Sequence, residues 1–369
     1  MLILYMIIAY LFVYLRCGIG AIIFKGDRIV VFLCYHKKQQ KNLTVITGPS
    51  TMSEEIELKF YIDSTEDADL ISNTIESALK DYQLECLGTK KLENAYYDTK
   101  DLILRNLNMG VRVRSIDDNY HEQTAKCSGV VIGGLHKRIE YNVPIGSKEP
   151  ELKKFPTVMW KDQDVEFLQQ NIEKKFETNF KRKLWLVKQN DRVVAEICYD
   201  HGSVESKEHK ELINEIEIEV KKGNVDNIID IAKSIIAADK IKMHLDSRSK
   251  AYRGYELAGL SDLPKAKSFV IDESGDRDRA LHSYLIQFTE HEQIMLSNYD
   301  VRALSVMSLS AFELKKLTSD IYYDKISEIL SELEKTAEMT DEKKKVFMDL
   351  ISSKEYLNFL LEIYRFLFK

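Results

Sequence analysis

Glu55-Ile56-Glu57-Leu58-Lys59 is the stretch whose reading decides the fold. Side chains alternate sides along a β-strand. Glu55, Glu57 and Lys59 therefore share one face, while Ile56, Leu58 and Phe60 share the other. Two carboxylates and an ammonium then point the same way. Like charges this close repel unless a cation lies between them, and a divalent metal supplies that charge. The lysine suits the metal's anionic partner, so the strand reads as part of a metal-and-phosphate site built on a sheet.

Later segments repeat the pattern. Met109–Arg114 sets Arg112 and Arg114 on one face and Val111 and Val113 on the other. His121–Lys126 aligns Glu122, Thr124 and Lys126, and His136–Tyr141 aligns Arg138 and Glu140. Arg182 lies in Asn179–Trp185, and Val194–Asp200 puts Glu196 and Asp200 together. Ile213–Val220 sets Glu215, Glu217 and Glu219 opposite Ile216, Ile218 and Val220. Short segments with a period of two, rich in β-branched and aromatic residues, predict an antiparallel sheet or barrel. Residues 64–82 and 224–238 have helical spacing and predict helices that cover the sheet's apolar face. One charged strand face is ordinarily a solvated face. The set reads otherwise, because the types segregate: carboxylates dominate the first and last of these strands, and arginine and lysine dominate between. Arginine is the residue suited to bidentate oxyanion contacts. If the sheet closes, its charged faces line a tunnel that a polyanion with divalent metals would neutralise.

Composition bounds the partners. A chain of 369 residues, 44% hydrophobic and 30% charged, predicts a globular protein of two or three domains, and the strand and helix segments above make it α+β. A net charge of -6 gives no global pull toward nucleic acid, so any basic site is local. Cys17, Cys34, Cys86, Cys127 and Cys198 are scattered and form no CxxC pair. That pattern supports neither a zinc site nor a disulfide framework, and favours a reducing, cytoplasmic compartment.

Three regions are expected: 1–51, 52–260 and 261–369. The first holds an apolar run, Leu2–Leu15, interrupted by Arg16 and resumed over Ile19–Phe24. A spanning helix needs about 20 apolar residues, so the run is borderline. If residues 1–24 inserted in a membrane, Lys25, Arg28, Lys37, Lys38 and Lys41 would keep the rest of the chain in the cytoplasm. The competing reading starts the protein at Met52 and makes the preceding residues an upstream extension. Residues 277–299, 301–317, 322–339, 341–352 and 355–368 have helical spacing and predict a small bundle, suited to a homodimer contact through an apolar helix face.

Taken in order, the central segments resemble the CYTH domain of the triphosphate tunnel metalloenzymes. The hallmark ExExK is Glu55, Glu57 and Lys59. The likeness continues through Tyr96-Tyr97-Asp98-Thr99, Leu104-Arg105, Met109–Arg114, Thr124-Ala125-Lys126 and Gly133–Tyr141. It resumes at Thr178–Arg182, Glu215–Glu219 and Ser249–Tyr255, covering Ser53 to Leu257. Within the family it looks most like the bacterial inorganic triphosphatases. The resemblance implies an eight-stranded antiparallel tunnel with covering helices. It implies two divalent cations, Mg2+ or Mn2+, and hydrolysis of inorganic triphosphate to pyrophosphate and phosphate. By position it implies that Glu55, Glu57, Glu217 and Glu219 hold metal. Lys59, Arg112, Arg114, Lys126, Arg138, Arg182, Lys250 and Arg253 match phosphate contacts. Glu217 or Glu219 is expected to take a proton from the attacking water, and Lys59 to act beside them. Glu140 and Glu196 are expected to orient basic neighbours.

The C-terminal bundle resembles a shortened CHAD domain, with His282 and His291 in the corresponding region but without its basic run. Both histidines are expected to be surface or packing residues, and the bundle to be structural. Competing functions on the same fold are a nucleoside or thiamine triphosphatase, an adenylate cyclase, and a non-catalytic polyphosphate-binding module. The intact acidic pairs favour hydrolysis over binding alone.

Overall fold

The computed structural model describes residues 22–25, 28–31, 51–63, 67–160, 163–207, 209–318, 322–335 and 338–368. The chain divides into two compact units, Met1–Gly48 and Pro49–Lys369. In the first, β1 (Ile22–Lys25) pairs antiparallel with β2 (Arg28–Val31), Lys25 opposite Arg28. The last residues of the apolar run are thus strand; residues 1–21 of it lie outside the described residues. Among the described residues, no helix is long and apolar enough to cross a membrane.

The second unit is built on a closed sheet. Its strands are β3 (Thr51–Ile62), β4 (Gln83–Thr99), β5 (Gly110–Ile116) and β6 (Tyr120–Ile132). They continue with β7 (Leu135–Ile145), β8 (Ile172–Gln189), β9 (Arg192–Ser206) and β10 (His209–Val220). Round the barrel the order is β3, β7, β6, β5, β4, β8, β9, β10, and β10 pairs back onto β3. Every pairing is antiparallel. The expected eight-stranded tunnel is present. A short β11 (Met243–Leu245) adds to the Phe60–Ile62 end of β3.

The alternation read from the sequence explains the closure. Leu58, Phe60 and Ile62 point outward with Ile216, Ile218, Ile197 and Trp185 into one apolar core. Two helices cover that face, α1 (Ala68–Ala78) through Ile71 and Ile75, and α5 (Val225–Ala238) through Ile228, Ile231 and Ile235. Between them in sequence lie three short helices, α2 (Ile103–Asn106), α3 (Thr157–Trp160) and α4 (Val165–Asn171). After β11 comes α6 (Lys250–Leu257), capped by the Ser249 hydroxyl on the Tyr252 N–H.

Five more helices follow: α7 (Arg277–Asn298), α8 (Arg302–Thr318), α9 (Tyr322–Glu334), α10 (Asp341–Ile351) and α11 (Lys354–Leu367). Their Phe288, Met307, Leu330, Phe347 and Leu360 belong to the same core as the barrel's outer face. His291 is buried. Its Nε2 accepts from Lys267 N at 3.1 Å and its Nδ1 lies 2.7 Å from the Gln287 carbonyl, which is a packing role.

Candidate active site

Ladder register decides which charges meet inside the barrel. Across β3 and β10, Glu57 stands opposite Glu219 and Lys59 opposite Glu217. Across β10 and β9, Glu219 stands opposite Glu196 and Glu215 opposite Asp200. Inward faces enclose a cavity of about 790 Å³. Glu55, Glu57, Glu217 and Glu219 all line it, as do seven of the eight residues expected to contact phosphate.

Arg253 is the exception. It is fully buried, donates from Nε to Glu211 at 2.8 Å and from Nη1 to Glu215 at 3.3 Å, and bonds the Leu212 carbonyl. Lys250 and Arg253 are three apart on α6 and share Glu215, but the lysine meets the lumen while the arginine ties the helix to β10. Its guanidinium is spent behind the wall and is not offered to a ligand.

One side of the tunnel is acidic. Lys126 pairs with Glu55 at 2.6 Å and with Glu140 at 3.1 Å. Glu140 thus orients a basic neighbour, as expected; against its burial, Lys126 and Arg112 hold its carboxyl low. Glu57 has no hydrogen bond or ion pair among the described residues, and burial with Glu55 and Glu217 beside it pushes its carboxyl up to about 8. Glu219 pairs with Lys221 at 2.7 Å, yet burial raises its carboxyl too, with Glu55 and Glu196 adding to the rise.

Two arginines enter the lumen beside these carboxylates, Arg114 from β5 and Arg138 from β7, where Arg138 stands opposite Glu55. Arg114 donates from Nε to Asn94 Oδ1 at 2.7 Å, and Arg138 Nη2 lies 3.0 Å from His136 Nδ1. Neither has a carboxylate ion pair among the described residues. Burial, then Arg112 and Arg182 nearby, bring the Arg114 guanidinium down to about 10. The Arg112 Nε is buried without a hydrogen-bond partner. Gly129 makes room for Arg138: a Cβ there would lie 2.8 Å from Arg138 Cγ and closer still to the Lys137 carbonyl. His136 is buried, and burial together with Arg138 and Lys59 keeps it neutral, so it can accept from the guanidinium.

A third cluster lies at the α6 side. Carboxylate oxygens of Asp200, Glu215 and Glu217 lie within 4.8 Å of one another, a spacing that a metal could bridge. Here Lys250 bridges them, at 2.7 Å from Asp200, 2.8 Å from Glu217 and in contact with Glu215. An ammonium has three N–H groups, and three carboxylates take them. Arg182 adds bonds to Asp200 at 2.7 and 2.6 Å and to Glu217 at 2.6 Å. Lys59 is buried, 3.0 Å from Glu215 and 2.7 Å from the Arg248 carbonyl. Against its burial, Lys250, Arg182 and Lys59 hold the Glu217 carboxyl well below the usual range. This knot has its own cations. Lys250, expected to grip phosphate, lines the cavity and braces this wall through its three carboxylates.

Sequence reading left several lining or supporting residues without a role. Asp200 and Glu215 share inward faces with Glu196 and Glu217, so strand parity was the signal. Asp200 lies inside β9 and pairs with Arg182 and Lys250. Lys221 follows Glu219 by two and carries the same signal. Asn94 and Tyr96 stand opposite Arg114 and Arg112 on β4, a strand whose first half is exposed on both faces.

The CYTH domain family matches residues 53–255. The chain is 32% identical over 226 residues to an inorganic triphosphatase of Haemophilus influenzae, covering 60% of this chain and 61% of that protein. The chain thus spans about three fifths of that relative's length. Among solved structures, a Hippeastrum protein described as a candidate adenylyl cyclase with a dominant triphosphatase activity aligns at 15% identity. It covers 54% of this chain and 95% of its own, with a TM-score of 0.39. A Pyrococcus horikoshii protein aligns at 19% identity over 55% of this chain and 98% of its own, with a TM-score of 0.35.

Proposed function

The chain belongs to the CYTH domain family, and on that premise we propose that it hydrolyses inorganic triphosphate to pyrophosphate and phosphate inside the tunnel, with divalent metal ions. The observation that carries this reading is that one cavity holds both a carboxylate without an ion pair, Glu57, and arginines without one, Arg114 and Arg138, among the described residues. Burial, with Glu55 and Glu217 beside it, pushes the Glu57 carboxyl up to about 8, while burial, with Arg112 and Arg182 nearby, brings the Arg114 guanidinium down to about 10. A short phosphate chain with metal ions answers both needs.

The acidic side fits a hard cation by its donor chemistry, since carboxylate oxygens suit Mg2+ and Mn2+. Glu55 and Glu57 would hold one ion, with Glu219 and Glu196 across the ladder as the other donors. When bound, such ions supply Lewis-acid charge to phosphate oxygens and ease deprotonation of water. Arg112, Arg114 and Arg138 grip the phosphate oxygens, Asn94 and His136 aim two of these forks, and the closed barrel limits water. Of the two glutamates expected to take the proton, Glu219 is the better acceptor. Its carboxyl is raised by burial, whereas Glu217 is pinned low by Lys250 and Arg182. Lys59 and Lys250 keep the carboxylate wall in place.

The deciding assay offers the purified chain triphosphate, ATP, thiamine triphosphate and long polyphosphate with Mg2+ or Mn2+, and identifies every product. Triphosphate cleaved to pyrophosphate and phosphate well ahead of the bulkier substrates is the expected result; its absence with both metals ends the reading. Arg114→Ala is expected to raise KM for triphosphate about 10- to 100-fold, with a smaller change in kcat, as loss of a charge-assisted hydrogen bond predicts. Steady-state kinetics at saturating metal check it.

A further inference from the structure

The acidic side of the tunnel carries a cation of its own. Glu196, Glu219 and Glu57 stand in one row across β9, β10 and β3. Lys221 follows Glu219 by two residues and puts Nζ 2.7 Å from Glu219 and 3.6 Å from Glu196. Its backbone is fixed: Lys221 N donates to Val194 O at 3.0 Å and Lys222 N to Val193 O at 3.1 Å, so the β9–β10 ladder continues past the end of β10. At the next residue a Cβ on Gly223 would lie 2.8 Å from the Val194 carbonyl, and the Asn224–Asn227 capping box then starts α5. The backbone is thus held, while the side chain remains about a third exposed at the cavity. Lys222, its exposed neighbour, does not line the cavity.

We propose that Lys221 is a tethered counter-cation that occupies the Glu196–Glu219 pair until a divalent ion displaces it, and so sets how tightly this part of the tunnel binds metal. The proposal rests on reading the acidic side as a metal site. An ammonium and a metal ion compete for the same carboxylate lone pairs and repel each other, so both cannot hold the pair at once. The flexible four-carbon stem of lysine lets the charge swing out without moving the backbone. Metal affinity is therefore lowered by whatever the resident ion pair contributes.

The test titrates Mn2+ into the full chain without any phosphate substrate, reading bound metal by calorimetry and by the electron paramagnetic resonance of free Mn2+. Lys221→Met is expected to bind Mn2+ about tenfold tighter than wild type, and Lys221→Gln, equally uncharged, to move the same way. Lys221→Arg keeps the charge and is expected to show no such gain. Lys222→Met removes a charge one residue away and is expected to stay within about twofold of wild type, since an exposed charge outside the cavity is well screened. Wild-type binding with no gain in Lys221→Met or Lys221→Gln overturns the role of Lys221 alone. An equal gain in Lys222→Met also overturns it, because simple charge neutralisation would then suffice. Failure of every variant and the wild type to bind Mn2+ overturns the metal reading and this proposal with it.

Discussion

Glu57→Ala is expected to lower kcat/KM for triphosphate about 10³-fold, with only partial rescue by excess Mn2+. Loss of a metal-holding carboxylate removes several kcal/mol of transition-state stabilisation, and about 1.4 kcal/mol is a factor of ten. The opposite is expected of stability. In the metal-free protein Glu57 faces Glu55 and Glu217 with its carboxyl pushed up to about 8 by burial and those neighbours. A carboxyl raised above its unfolded value binds its proton more tightly when folded. Stability therefore falls as pH rises from the ordinary carboxylate range through about 8. Glu57→Gln removes that term and is expected to stabilise the metal-free chain, on the order of 1–3 kcal/mol, more at pH 9 than at pH 6. Urea unfolding in the presence of a chelator reads it. A variant that loses both activity and stability would mark Glu57 as a brace and not a metal ligand.

Lys250→Met is expected to act in the reverse sense, costing about 3 kcal/mol of stability at pH 7. It removes the ammonium shared by Asp200, Glu215 and Glu217 and leaves three carboxylates with fewer cations in a buried place. The cost falls below that of stripping a carboxylate bare, because Arg182 still holds Asp200 and Glu217, and Lys59 and Arg253 still hold Glu215. The pH dependence follows from Glu217, whose carboxyl is held well below the usual range in the folded protein. A depressed carboxyl contributes stability above its unfolded value and loses it as pH falls. Without Lys250 that depression shrinks, and a carboxyl of the knot takes up a proton more readily on acidification. The gap between wild type and variant is therefore largest at neutral pH and narrows toward pH 4.5. Denaturant midpoints at the two pH values check it; a gap that widens on acidification contradicts the bracing role given to Lys250.

Much of the fold was legible because a period of two survives any context. Glu55-Ile56-Glu57-Leu58-Lys59 separates its faces so cleanly that β3, β5, β6, β7, β8, β9 and β10 follow from the same rule. The eighth strand, β4, was not read as a strand. Its first half, over Glu85 to Lys91, is exposed on both faces, so no apolar alternation marks it, yet its pairing with β5 and β8 completes the ring. The C-terminal helices followed from helical spacing, but the core they share with the barrel wall did not, because spacing says which face is apolar and not what it meets.

The sequence by itself determined that carboxylates, arginines and lysines would face one lumen, since side-chain parity along a strand is local geometry. Only the tertiary structure decided which charges are spent and which are free. Lys250 and Arg253 carry the same formal charge as Arg114, but three carboxylates take the N–H groups of Lys250, and Glu211, Glu215 and the Leu212 carbonyl take those of Arg253. Arg114 bonds a neutral amide, has two other arginines near it, and stands opposite Glu122 without an ion pair among the described residues. The difference is ladder register and the turn of α6. These set distances between residues far apart in the chain, and electrostatic pairing depends on distance and burial, which no local pattern encodes.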